Sequence, residues 1–301
     1  MRILISCIFC CFCFSVLQGQ TTVYVKDAES KLPLSYSTVE CLQKHWGVYS
    51  DVAGKISIPD SIRYSDNLIF TYVGYDTLNI HLEEGNEIIY LKKHDKQLQN
   101  IIITSCTEKQ IVKIKNRNRS SNSSLGLDPN SSGFVWSAYV ENPGNKNGIV
   151  KTISFGVVDF FRGKKLDAPV RIHFYEMDTI SNRPGDEINS EVIEIIPKRT
   201  GWITVDISNY NIHIPASGFV VGFDMFDAGP QFHFIHFMRT EKWKGGTERQ
   251  IECYGWDLEA LNDGYGFKKI PGIGWTGNMT NRESFKYSNV PAVGISFEIC
   301  K

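Results

Sequence analysis

The sequence predicts an all-β protein built as two consecutive sandwiches. Short runs rich in Ile, Val, Thr, Tyr and Phe recur along the chain, and these residue types favour a pleated, half-buried surface. Turn signals separate the runs, and no helical periodicity shows between them. A length of 301 residues is long for one core and comfortable for two. The formal net charge of −1 gives no general attraction to nucleic acid or anionic membrane, so a nucleic-acid partner has no support in the composition.

Taken in order, Met1-Arg2 and the apolar run Ile3 to Leu17 read as a secretory signal peptide, residues 1–20. The run is too short to span a bilayer as a helix, so no transmembrane helix is expected in the mature chain. Gly19 offers a small residue for cleavage after Gly19 or Gln20. Leu4-Ile5-Ser6-Cys7 has the look of a lipoprotein signal, but the apolar run continues ten residues past Cys7, which favours ordinary cleavage. Export permits disulfides. Of eight cysteines, Cys7, Cys10, Cys11 and Cys13 leave with the signal, while Cys41, Cys106, Cys253 and Cys300 stay. None of these four has zinc-site spacing. Cys253 and Cys300 are the expected pair if one forms, with buried thiols as the alternative.

The mature chain opens with strands at Thr22 to Lys26 and Tyr36 to Leu42, separated by the polar turn Asp27-Ala28-Glu29-Ser30. Tyr49 to Ile58 is expected to form a hairpin about Val52-Ala53-Gly54, with Asp51 and Gly54 at the ends of the turn. Asn67 to Val73, Leu78 to Leu82 and Glu87 to Leu91 add further strands, and Gly74 in Tyr72-Val73-Gly74-Tyr75 marks a bulge or strand end. Several strands at this spacing predict a small antiparallel sandwich.

Four segments in this order resemble the carboxypeptidase regulatory-like domain. They are Val25-Lys26-Asp27 with Pro33-Leu34 leading to Ser37-Thr38-Val39; Gly47 to Ile58; Leu68 to Tyr75; and the closing Leu98-Gln99-Asn100-Ile101-Ile102-Ile103-Thr104. The resemblance covers residues 21–104 and implies a seven-stranded transthyretin-like sandwich without catalytic residues of its own. Such domains often precede the plug of TonB-dependent outer-membrane receptors in Gram-negative bacteria, or stand in other exported proteins. Too few residues follow here for a plug and the roughly 22-stranded barrel of such a transporter. A barrel of about eight strands would fit by length, but Val170 to Glu176 mixes charged and apolar groups without a clean lipid face.

Residues 105–132 read as a linker, with five basic residues from Lys109 to Arg119 and the run Ser120-Ser121-Asn122-Ser123-Ser124. This is a solvated connector with an edge strand at Ile111 to Ile114, or a basic contact for an anionic surface. Residues 133–301 form the distal domain. Strands are expected at Val150 to Val158, Val170 to Glu176, Glu191 to Ile196, Trp202 to Ile207, Phe219 to Phe226, Phe232 to Met238, Arg249 to Trp256 and Ala292 to Ile299. About eight strands at this spacing predict a larger, jelly-roll-like sandwich. Arg171 to Asp178, Arg183-Pro184-Gly185, Gly201 to Asp206 and Ile214 to Phe219 resemble poorly characterised sandwiches that follow regulatory-like domains in exported proteins.

No nucleophile elbow, zinc-protease motif or phosphate loop occurs. His233 and His236 stand three apart on an expected strand, so they point to opposite faces and do not converge on a metal. Asp224 and Asp227 are candidate acid–base carboxylates, against the alternative of outward positions on an alternating strand. Asp257, Asn262 and Asp263 precede Gly264-Tyr265-Gly266 in a polar stretch that suits a turn, and the spacing does not match a calcium loop. Trp243, Trp256, Trp275 and Tyr265 gather in the last third; exposed, they would stack on sugar rings, and buried, they would pack under loops. Asp60-Ser61-Ile62, Asp76-Thr77-Leu78 and Asp178-Thr179-Ile180 resemble an O-glycosylation acceptor of exported proteins. No cofactor and no metal is expected. The function expected from these readings is a non-catalytic interaction or accessory module of the cell envelope, periplasmic or associated with the outer membrane of a Gram-negative bacterium. Its partner would be an envelope protein or a glycan. The alternative is a carbohydrate-binding protein or carbohydrate-active enzyme using distal-domain loops, with Trp256, Asp257 and Trp275 as candidate binding residues.

Overall fold

A computed structural model describes residues 21–62, 65–82, 87–94, 108–116, 123–127, 133–143, 145–159, 166–239, 248–261, 265–277 and 290–300. The expected signal segment, Cys106, the closing motif Leu98 to Thr104 and Trp243 lie outside these residues. The chain is all-β. Among the described residues no helix is long and apolar enough to cross a membrane.

The first seven strands are β1 (Thr21–Asp27), β2 (Thr38–Cys41), β3 (Trp46–Tyr49), β4 (Lys55–Ile58), β5 (Asn67–Thr71), β6 (Leu78–His81) and β7 (Ile88–Leu91). They make two sheets, ordered β4-β1-β7 and β3-β2-β5-β6. Alternation places Val23, Val25, Val39, Cys41, Ile56, Ile58, Leu68, Phe70, Ile89 and Leu91 in one shared core. The Asp51–Gly54 turn forms, with Asp51 Oδ1 accepting the amides of Ala53 and Lys55 at 2.8 and 2.9 Å. Gly54 has φ of +72°, a conformation glycine adopts without strain. The turn does not close a hairpin. β3 pairs β2, whereas β4 pairs β1, so it carries the chain from one sheet to the other. β1 and β7 pair in parallel, which departs from a purely antiparallel plan. The Val25-Lys26-Asp27 and Leu68 to Tyr75 segments meet where the Tyr75 hydroxyl donates to Asp27 Oδ2 at 2.6 Å. That bond, with the amides of Ser30 and Glu29, lowers Asp27 to about 2.

The remaining strands begin with β8 (Lys109–Lys115), β9 (Ser123–Leu127), β10 (Val135–Val140), β11 (Gly148–Val158) and β12 (Val170–Asp178). Then come β13 (Arg183–Glu187), β14 (Ile193–Ile195), β15 (Gly201–Asp206), β16 (His213–Ile214) and β17 (Phe219–Asp224). The last are β18 (His233–Arg239), β19 (Glu248–Leu261), β20 (Gly266–Ile270), β21 (Gly274–Thr276), β22 (Val290–Pro291) and β23 (Val293–Cys300). One sheet runs β13-β12-β17-β10-β20-β21, with β14 beside β12. The other runs β18-β19-β11-β23-β8, with β15 and β16 on β11 and β9 and β22 on β19. Two stretches read as linker therefore belong to this sheet: β8 pairs β23, and β9 pairs β19.

The distal core lies between the sheets. Ile172, Phe174, Phe219, Val221 and Phe223 from one meet Ile153, Phe155, Trp256, Ile295 and Phe297 from the other. Phe155 stacks on Trp256 at 5.9 Å and meets Phe223 edge-on at 5.4 Å. Cys300 is disulfide-bonded, while Cys253 is a buried free thiol. The expected Cys253–Cys300 pair does not form.

Candidate functional site between the two sandwiches

The site follows from the two-residue period of β12. Ile172 and Phe174 point into the distal core, so Arg171, His173 and Tyr175 point the other way. That other face is also covered, and all three are buried. Register extends it into a row across the sheet: Arg171 opposite Asp224, Asp224 opposite Val135, Val135 opposite Lys269, and Lys269 opposite Trp275. From the N-terminal sandwich, the outward face of the β3-β2-β5 sheet supplies Tyr49, Thr38, Glu40 and Thr71. The loop from Tyr72 to Thr77 closes one side. These two faces enclose a cleft of about 520 Å³, within the roughly 300–1,000 Å³ of small-molecule sites.

Glycines allow the close approach of the two sandwiches. A Cβ on Gly47 would lie 2.7 Å from Pro271 Cβ. Gly74, with φ of +80°, rests against the Ser190 carbonyl so closely that any side chain would overlap it. The glycine of the Tyr72–Tyr75 segment thus serves the interdomain contact as well as its own turn.

Arg171 is the central fastener. Its Nη1 and Nη2 donate to the carbonyls of Tyr36 and Ser35 at 3.1 and 3.0 Å. Its guanidinium lies over Phe226 at 4.7 Å and Tyr36 at 5.0 Å. Nε stands 3.6 Å from Glu194 Oε2, an ion pair too long for a hydrogen bond. His173 sits beside it on the same face. Nδ1 meets Glu187 Oε1 at 2.7 Å, and Nε2 faces Asp224 Oδ2 at 3.7 Å. Burial disfavours the imidazolium, but Glu187 and Asp224 together outweigh it and raise His173 to about 9. Burial is also the main cause holding the Tyr49 and Tyr175 phenols well above their ordinary range, reinforced by nearby carboxylates. Both stay neutral. His173 stacks on Tyr175 at 5.9 Å, and Tyr175 meets Trp275 edge-on at 5.0 Å.

Three buried atoms in this constellation lack a hydrogen-bond partner among the described residues: Arg171 Nε, His173 Nε2 and Asp224 Oδ1. Such atoms are costly unless something satisfies them. Here all three belong to residues that line one wall of one cleft, the atoms themselves lying beneath its surface.

The three sequence-level binding candidates separate. Trp275 lines the cleft and is half-buried. Trp256 is 1% exposed and donates Nε1 to the Ala168 carbonyl at 2.9 Å, so it is a core residue and offers no surface to a ligand. Asp257 is buried on the opposite face of β19, where Ser124 Oγ donates to it at 3.3 Å. It joins β9 to β19 and does not reach the cleft. Asp224 does reach it, whereas Asp227 pairs with His233 at 3.0 Å outside it. His233 and His236 lie on one strand, β18, as expected. No group of three or more His, Cys, Asp or Glu among the described residues is arranged to hold a metal. Asn262 and Asp263 lie outside the described residues. Arg171, His173, Glu187, Tyr36 and Tyr49 were not singled out from sequence. The signal available for the first two was polar residues at alternate positions of an otherwise apolar strand.

No family model and no curated protein matches the chain. Among solved structures, an infectious bursal disease virus Gx strain structure is similar at 9% identity, with 93% of this chain and 59% of that one covered and a TM-score of 0.23. The VP2 subviral particle of the same virus gives 6% identity, 92% and 59% coverage and a TM-score of 0.24. The chain thus spans about three-fifths of the length of those viral chains.

Proposed function

We propose that the chain is an exported, non-catalytic binding protein of the Gram-negative cell envelope, whose ligand enters the cleft between its sandwiches. A regulatory-like first domain and a secretory leader, both read from sequence, support the setting. The observation that carries the reading is the cleft itself, about 520 Å³ and lined by aromatic and charged side chains from both sandwiches. A non-catalytic role is favoured by the disposition of charge. Asp224 and Glu187 flank one imidazolium, an ion-paired wall rather than two carboxyl groups separated by open space for a scissile bond. The test is sedimentation of the protein with isolated outer-membrane and peptidoglycan fractions. Trp275→Ala should weaken association while near-ultraviolet circular dichroism stays unchanged. Unchanged association in a folded Trp275→Ala protein would show that the ligand does not use the cleft.

A further inference from the structure

Of the three acceptor-like motifs in the sequence, the fold leaves one open. We propose that Thr179 carries an O-linked glycan, with the flanking Asp178 and Ile180 read by the transferase, an inference that rests on the chain being exported. Three segments place an acid, a hydroxyl and an aliphatic residue in a row: Asp60-Ser61-Ile62, Asp76-Thr77-Leu78 and Asp178-Thr179-Ile180. A transferase must enclose the acceptor hydroxyl and touch the side chains beside it, so the segment has to stand clear of the fold. In the first, Ile62 is 7% exposed and belongs to the N-terminal core, and its amide donates to the Pro59 carbonyl at 2.9 Å. In the second, Asp76 is engaged by His94, Leu78 packs on the same core, and Thr77 lines the cleft. Neither can be read without lifting its aliphatic residue off the core.

The third segment differs. It leads into the loop Thr179 to Asn182 between β12 and β13, closed where Asp178 pairs with Arg183. Asp178 Oδ1 accepts the Ile180 amide at 2.8 Å, and Asn182 has φ of +52°, which together turn the chain back. Thr179 and Ile180 are both exposed. Ile180, at 94%, is the most exposed large apolar side chain among the described residues. It adds nothing to the core, so a second protein can contact it and a substitution there costs no packing. Thr179 is not part of the cleft lining, unlike Thr77. The transfer takes an activated glycosyl diphosphate as donor. Thr179 Oγ1 bonds to the anomeric carbon, and the bond from that carbon to the diphosphate oxygen breaks. The electron pair leaves on the diphosphate, and the hydroxyl proton passes to a base of the transferase.

The test is tandem mass spectrometry with electron-transfer fragmentation on the full chain purified from envelope fractions of the cells that produce it. Thr179→Ser, Thr179→Ala and Ile180→Lys are made in the same cells. Wild type and Thr179→Ser should carry a glycan at position 179. Thr179→Ala and Ile180→Lys should lose it and show the bare polypeptide mass, with near-ultraviolet circular dichroism unchanged. Ser61 and Thr77 should be bare in every form. A bare Thr179 in protein recovered from the envelope overturns the proposal and leaves the export reading standing. Glycan on Ser61 or Thr77 overturns it too, as does glycan on Thr179 that persists in Ile180→Lys. Bare protein confined to the cytoplasm, with residues 1–20 still attached, overturns both.

Discussion

Replacing Arg171 by Met should uncouple the two sandwiches. Methionine keeps much of the apolar stem that packs against Phe226 and Tyr36, so the substitution isolates the polar contribution. It removes two charge-assisted hydrogen bonds, to the Ser35 and Tyr36 carbonyls at 3.0 and 3.1 Å, each worth about 1.5–3 kcal/mol. It also removes the cation–π contacts with Phe226 and Tyr36, each roughly 0.5–2 kcal/mol. Relief of the guanidinium's own desolvation offsets several kcal/mol of that total. Truncating one member of a buried pair costs about 3–5 kcal/mol on balance. Glu194 is 38% exposed and rehydrates once stranded, which places the expected loss near the lower end, about 3 kcal/mol. Guanidinium chloride unfolding reads the result. Tryptophan fluorescence should weight the distal domain, which holds five of the six tryptophans, while the amides of β1 and β4 followed by exchange report the first domain. Wild type should show coincident transitions and Arg171→Met separated ones, with the N-terminal sandwich unfolding first. Coincident transitions with a loss under about 1 kcal/mol would refute the view of Arg171 as the interdomain fastener.

Other predictions follow from the same contacts. The pKa of His173 is raised to about 9 in the folded protein from about 6.5 unfolded. Its contribution is therefore full below about pH 6.5 and is lost as pH rises through about 9, at most ~3 kcal/mol; His173→Gln should flatten wild-type stability over that window. Gly74→Ala forces a left-handed backbone onto alanine, costing roughly 1–2 kcal/mol, and drives its Cβ into the Ser190 carbonyl. It should destabilise by more than that figure and increase protease cutting between the domains. Trp256→Phe should cost about 2–4 kcal/mol, from an unpaired Ala168 carbonyl and lost core volume, while leaving cleft binding intact. Equal effects of Trp256→Phe and Trp275→Ala on binding would contradict the separation of core from site.

Much of the fold could be read from sequence because it depends on local pattern. Alternation located β1, β5, β11, β12, β15, β17 and β23 close to their observed bounds, since one buried face imposes a period of two. Pairing was harder. The Asp51–Gly54 turn has hairpin chemistry, yet its flanking strands enter different sheets, because register and partner are set by long-range core packing. β10, β13 and β20 were missed: a Trp-Ser-Ala-Tyr run, a Pro-Gly pair and two adjacent lysines dilute the apolar signal. The cleft was only partly visible. Trp275 and Asp224 were singled out, but not that register places them in one row with Arg171. Trp256 drew attention as a sugar platform because residue type alone does not tell which face of β19 is buried. In Arg171-Ile172-His173-Phe174-Tyr175 both sets are buried, and only the partner sandwich explains why the polar set is covered.

Hydrogen–deuterium exchange, with and without envelope polysaccharide fractions, tests the central claim most directly. Ligand held between the sandwiches should add protection at residues 36–40, 71–77, 171–175 and 269–275, the backbone that lines the cleft, and leave the β8 and β18 edges unchanged. Protection confined to β8, β18 or the β19 segment around Asp257, with the cleft segments unaltered, would contradict the account.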